Sequence, residues 1–150
     1  MEYLSLRPLT QENRQAYLAL EVKDCQKAFI ETPAQSLRDM EARGWDVDWT
    51  ILCIFAGTTL AGYAMHGMNR RGDAWLDRFM IDRRFQGRGL GTRALPRILA
   101  EMKKCYPGRR SLLLSVEPEN QTAIRLYERF GFRLTGEYDG PEAVMRLEEP

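Results

Sequence analysis

The sequence predicts an α/β fold of the α+β kind. It should have a mixed, mostly antiparallel central sheet of six to seven strands, with about four helices on its faces. Three observations carry that prediction. Short runs rich in apolar and β-branched residues recur along the chain, bounded by Gly, Pro, Asn and Asp. Two stretches with helical periodicity, residues 89–106 and 120–130, fall between such runs. The resulting order, βααβββαβαββ, describes one sheet with helices laid against it.

Each element has a local reason. "EYLSLRPL" alternates Tyr3 with Ser5 and Leu4 with Leu6, and reads as a first strand. Thr10 is placed to cap a helix over 11–22, with Ala16 and Leu20 on its inner face. A second helix is expected near 35–43, stopped by Gly44. "DWTILCIF" and "LAGYAMHGM" flank the turn-like "AGTT" and form a hairpin, and "AWLDRFMI" is another strand. A long helix runs from Gly89 to Tyr106 and is broken off by Pro107-Gly108. "SLLLSV" is too apolar for a half-exposed strand and reads as buried on both faces. "NQTAIRLYERF" is a helix capped by Asn120 with Gly131 at its exit, and "FRLTGEY" and "AVMRLEE" are a closing pair of strands.

Composition bounds the function. A chain of 150 residues with 44% apolar residues fits a single domain spanning 1–150. No stretch approaches the roughly 18 unbroken apolar residues of a membrane span. The opening "MEYLSLRPLTQEN" lacks the basic and apolar regions of a secretory signal, so a cytoplasmic location is expected. Cys25, Cys53 and Cys105 are odd in number and far apart, which fits reduced, idle thiols. With one histidine and no Cys pairs, no metal site is expected. The net charge of +1 hides an uneven spread: residues 83–110 hold nine Lys or Arg against one acid, Glu101. Residues 1–50 and 111–150 are acidic, at −3 and −4. That pattern fits an anion site in mid-chain with flanks that favour a cation.

The basic segment opens on "RRFQGRGLGT", residues 83–92. Glycine lets backbone N–H groups turn inward and approach a ligand. A helix start adds unpaired N–H donors and the positive end of a dipole. Together they make a cradle for phosphate, with Arg88 and Arg93 beside it. The spacing matches neither a P-loop nor the dinucleotide fingerprint.

Gln86-x-x-Gly89-x-Gly91, after a strand and opening a long helix, resembles the acetyl-CoA pyrophosphate loop of the GNAT superfamily of N-acetyltransferases. "ENQTAIRLYERFGF" resembles the superfamily's Asn-x-x-Ala-x-x-x-Tyr-x-x-x-Gly-Phe segment, here Asn120, Ala123, Tyr127, Gly131 and Phe132. More narrowly, "WLDRFMIDRRFQGRGLG", "AIRLYERFGF" and "FIET" look like bacterial spermine/spermidine acetyltransferases. The resemblance implies that acetyl-CoA is the co-substrate and an amine, a polyamine above all, the acceptor.

Residue by residue, it implies that Gln86, Gly87, Arg88, Gly89, Leu90, Gly91 and Thr92 hold the pyrophosphate. The backbone of Phe79, Met80 and Ile81 would pair with the pantetheine arm, as an added strand pairs with an edge. Asn120 and Tyr127, seven residues apart, share one helix face. Tyr127 resembles the acid that protonates the departing thiolate. Asp77 matches a carboxylate position of the polyamine enzymes, where it could take the acceptor's proton and help bind it. His66 is a second candidate base. Glu31, with Glu21 and Asp24 as further choices, would meet distal ammonium groups. Bland alternatives stand beside each: Asn120 as a mere cap, Tyr127 as core, Asp77 as an ion-paired strand residue.

No nucleophilic intermediate is implied, since neither motif holds a Cys and Ser115 shows no partner base. An acceptor of another kind, such as a peptide N-terminus, an antibiotic or a small metabolite, is the alternative, as is a non-catalytic acyl-CoA binding module. Nucleic-acid binding is disfavoured, because aromatics are not interleaved with the basic residues. No membrane partner is expected, and a homodimer is permitted.

Overall fold

The computed structural model describes residues 3–42 and 46–149. Strand β1 (Leu4–Pro8) is followed by helix α1 (Arg14–Leu18), a 3₁₀ segment (Asp24–Phe29) and helix α2 (Pro33–Glu41). Strands β2 (Thr50–Ala56), β3 (Thr59–Met68) and β4 (Asp73–Ile81) form a meander. A 3₁₀ turn (Arg83–Phe85) then leads into helix α3 (Leu90–Cys105). Strand β5 (Ser111–Val116), helix α4 (Gln121–Arg129) and strands β6 (Phe132–Asp139) and β7 (Glu142–Leu147) complete the order.

The seven strands form one sheet in the order β1-β2-β3-β4-β5-β7-β6. All neighbours are antiparallel except β4 and β5, which run parallel and are joined by α3. This is the mostly antiparallel sheet with four helices that the sequence predicts. One apolar cluster lies between the sheet and α3 and α4, with Leu95, Ile98, Met102, Leu112, Leu114 and Phe132 fully buried. A second joins α1 and α2 to the other face through Tyr17, Leu37, Tyr63 and Met65. Each such side chain contributes about 1.5–3 kcal/mol by leaving water.

The first half departs from expectation in its helices. The helix expected over 11–22 is only Arg14–Leu18, and the chain re-forms as a 3₁₀ segment after Lys23. Thr10 caps the turn before it: its Oγ1 accepts the Asn13 N–H at 3.2 Å, and the Asn13 side chain accepts the Thr10 N–H at 2.7 Å. Helix α2 begins at Pro33, earlier than expected, because Thr32 is an N-cap accepting the Gln35 N–H at 3.1 Å and Pro33 takes the first helical position. The expected stop at Gly44 lies outside the described residues.

Candidate active site

Strand β4 builds the site. Its pairing with β3 shifts by one residue between Met65↔Arg78 and His66↔Leu76, so Asp77 sits in a β-bulge. The bulge resets the alternation of side chains. Leu76 belongs to the core under α3 and α4, and beyond the bulge Phe79 and Ile81 pack there, while Met80 joins the core under α1 and α2.

The same point is where the sheet opens. The parallel pairing of β4 with β5 runs from Asp73↔Ser111 to Leu76↔Leu114. Beyond it, Ser115 and Val116 pair with β7, and Phe79 to Ile81 pair with β3. Between the diverging strands is a cleft of about 350 Å³. It brings together Glu31, Asp77, Phe79, Met80, Ile81, Gln86, Gly87, Gly89, Leu90, Gly91, Thr92, Asn120 and Tyr127.

Not every candidate reaches it. Arg88 does not line the cleft; its guanidinium lies 5.4 Å from the centroid of Phe85, with Arg84 at 5.5 Å from the same ring. Glu21 and Asp24 pair with Lys27 at 3.1 and 2.9 Å. His66 is buried away from the cleft, its Nδ1 2.7 Å from the Tyr106 hydroxyl, and burial lowers its pKa against an opposing pull from Glu101.

At the glycine loop, Gly87 and Gly89 have φ of +78° and +74°, a region that L side chains avoid. Gly89 is the N-cap of α3, and a Cβ on either glycine would meet only open space. Gly89 and the first residues of the 16-residue helix α3, Leu90, Gly91 and Thr92, line the cleft. Gln86 braces the loop, its Nε2 donating to the Ile81 carbonyl at 2.8 Å and to Gln26 Oε1 at 2.9 Å.

Helix α4 supplies the opposite wall. Asn120 Oδ1 accepts the Ala123 N–H at 3.3 Å, so Asn120 is an N-cap as well as a lining residue. Tyr127 stacks edge-on against Phe132 with ring centroids 5.8 Å apart. Its hydroxyl has no hydrogen-bond partner among the described residues, and burial raises its pKa.

The end of the cleft nearest Glu31 is acidic. Arg78 is ringed by three carboxylates: its Nε is 3.1 Å from both Asp77 Oδ2 and Glu31 Oε2, and one terminal nitrogen is 2.8 Å from Asp39 Oδ2. Across the gap, Ser115 Oγ donates to Glu142 Oε1 at 2.9 Å, so this serine does have a carboxylate partner. Burial pushes Asp77 up to about 6; Arg78 opposes this, and Glu31, Glu142 and Asp139 reinforce it. Burial also raises Glu142, with Ser115 opposing. Arg78 is the arginine that the ion-paired reading of Asp77 requires; sequence reasoning left Ser115 without a partner and did not identify Glu142, because β5 and β7 bring those two together.

A carboxyl that titrates near neutrality, a buried phenol and a glycine-lined helix start share one cleft. That arrangement can accept a proton, donate a proton and hold an anion. Among the described residues no group of three or more His, Cys, Asp or Glu is placed to hold a metal.

Residues 12–132 match the sequence profile of the acetyltransferase (GNAT) family. The chain is 35% identical over 143 residues to the spermine/spermidine N(1)-acetyltransferase of Bacillus subtilis strain 168, covering 91% of each protein. Its fold is similar to the spermidine N-acetyltransferase of Vibrio cholerae, solved with CoA and spermine: TM-score 0.72, 20% identity, 95% of this chain and 92% of that one. It is also similar to the ribosomal-protein-S18-alanine N-acetyltransferase of Escherichia coli, with TM-score 0.71, 22% identity and coverage of 97% and 93%.

Proposed function

The chain belongs to the acetyltransferase (GNAT) family, and from that premise we propose that it moves the acetyl group of acetyl-CoA to a primary amine of a polyamine such as spermine or spermidine. The observation that carries the acceptor is the acidic end of the cleft, where Glu31, Asp77 and Glu142 all line one cavity. The curated Bacillus subtilis relative, named for the same acceptors, supports it.

The division of labour follows from charge. The pyrophosphate of acetyl-CoA lies against the amides of Gly87 to Thr92 at the start of α3, where the helix dipole favours an anion. The pantetheine arm runs along the free edge of Phe79 to Ile81. The acceptor enters from the acidic end. Only a free amine attacks the thioester carbonyl, so the ammonium must first lose a proton, and the Asp77 carboxylate accepts it. Nitrogen then bonds to the carbonyl carbon, the carbon–sulfur bond breaks, Tyr127 protonates the leaving thiolate, and the second proton that nitrogen sheds as the amide forms returns the phenolate to its neutral form. Holding both partners in one cleft supplies much of the rate gain.

The test is turnover of acetyl-CoA with a graded amine panel. The kcat/KM should rise from propylamine to a diamine to spermidine and spermine. It should fall with added salt, since exposed charge pairs are screened over about 8–10 Å. A panel in which a peptide N-terminus or an antibiotic amine wins would remove the polyamine acceptor. Acetyl-CoA binding with no turnover of any amine would point to a binding module.

A further inference from the structure

The arginine beside the bulge is bound in an unusual way. Its side chain is 11% exposed, yet Nε, fully buried, is aligned for a hydrogen bond to neither carboxylate that it touches. Asp77 Oδ2 and Glu31 Oε2 instead compete for that one nitrogen as ion-pair partners, at equal distances of 3.1 Å. The other end of the guanidinium is fixed to α2, where a terminal nitrogen donates to Ser36 Oγ at 3.1 Å and meets Asp39. Ser36 is in turn 2.8 Å from the Tyr63 hydroxyl on β3. Arg78 is thus clamped from behind and divided in front.

We propose that Arg78 is a positioning residue for the acceptor half of the reaction, its Nε shared between Asp77 and Glu31 so that the one carboxylate stays available as base only while the other competes for the same cation. This rests on Asp77 being the proton acceptor proposed above. A carboxylate in a half-buried bulge needs a compensating charge to remain ionised. Arg78 supplies it from β4. Glu31 ahead of α2, Glu142 on β7 and Asp139 on β6 oppose it. Tyr63, neutral at physiological pH, faces the same cluster from β3.

The sharing predicts two opposite shifts of one titration. Arg78→Gln removes the cation and should move the acidic limb of kcat/KM alkaline by about one pH unit or more, as expected for loss of an adjacent Arg. Glu31→Gln removes the competitor and should move the same limb acid. Arg78→Lys keeps the charge and should restore the limb towards its wild-type position. The KM for acetyl-CoA should change less than about twofold in all three.

The experiment is a pH profile of kcat/KM with spermidine at saturating acetyl-CoA, run on wild type, these three variants and Asp77→Asn. If Asp77→Asn keeps the limb, the base assignment itself fails. If Asp77→Asn loses the limb while Glu31→Gln leaves it in place, the sharing is wrong, and this arm stands even if Arg78→Gln does not fold. A folded Arg78→Gln that loses rate equally at every pH would make Arg78 a structural tie only.

Discussion

The carboxylate of Asp82 accepts the backbone N–H of Glu21 at 2.8 Å, joining points 61 residues apart. It also accepts the Arg84 N–H at 3.0 Å and Arg84 Nε at 2.6 Å, although its side chain is only 3% exposed. In return the Arg83 N–H donates to the Glu21 carbonyl at 2.7 Å. The segment leading to Glu31 is therefore fastened to the strand end that leads into the glycine loop.

Breaking that fastening should cost stability in a pH-dependent way. Burial alone would raise the Asp82 pKa, but the donors from Arg84 and Glu21 outweigh it and hold the group below its ordinary value. A depressed folded pKa means that the stabilisation is complete above the unfolded value of about 3.9 and fades as pH falls below it. Asp82→Asn should lower unfolding free energy by about 2 kcal/mol at pH 7. Urea titrations should show the gap to wild type narrowing as pH falls below about 4 and on through the lower folded-state pKa. A gap of constant size across that range would contradict the assignment.

Gly89→Val should weaken acetyl-CoA and not the amine. A Cβ there meets no protein atom within 4 Å, so the folding penalty comes chiefly from the backbone, held at φ +74°. That strain is worth about 1–2 kcal/mol. The KM for acetyl-CoA should rise strongly while the KM for spermidine moves little. Calorimetry showing unchanged cofactor affinity in a folded variant would rule the loop out as the pyrophosphate site.

Tyr127→Phe should reduce kcat about tenfold to a thousandfold, as loss of a proton donor does. The hydroxyl has no partner among the described residues, so its removal should leave the thermal midpoint unchanged. A variant with wild-type kcat would show that the ring serves only to pack against Phe132.

Glu142→Gln should raise the KM for spermidine more than that for propylamine, since it removes negative charge from the acidic end. The Ser115 hydroxyl can donate to the amide oxygen that replaces the carboxylate, so little stability should be lost. Equal effects on both amines would place Glu142 outside the acceptor's reach.

The strands and helices α3 and α4 were legible because each has an apolar or periodic run bounded by Gly, Pro, Asn or Asp. The glycine loop was legible because its chemistry is local: two left-handed glycines followed at once by a helix. The first helix was drawn too long because a distant contact lies at its expected end, whereas the start of α2 is set by the local Thr32-Pro33 cap. Asp82 holds Glu21, and the chain there is drawn out of helix. The bulge at Asp77 leaves no mark on an alternating strand, since it is created by register with β3. The pairing of Asp77 with an arginine was legible because Arg78 is its chain neighbour, whereas Glu142 reads alone as an ordinary strand residue and meets Ser115 only where β5 and β7 pair.

The parting of β4 from β5 after Leu76 and Leu114 leaves one cleft walled by residues of both cores, with Gly89 and Glu31 both on its lining. Two reactants can then occupy it together, one at Gly89 and the other at Glu31, without either having to leave first. Double-reciprocal plots at varied amine and acetyl-CoA should therefore intersect. The enzyme's turnover would require both molecules at once, making its rate sensitive to whichever pool, acyl donor or amine, is scarcer.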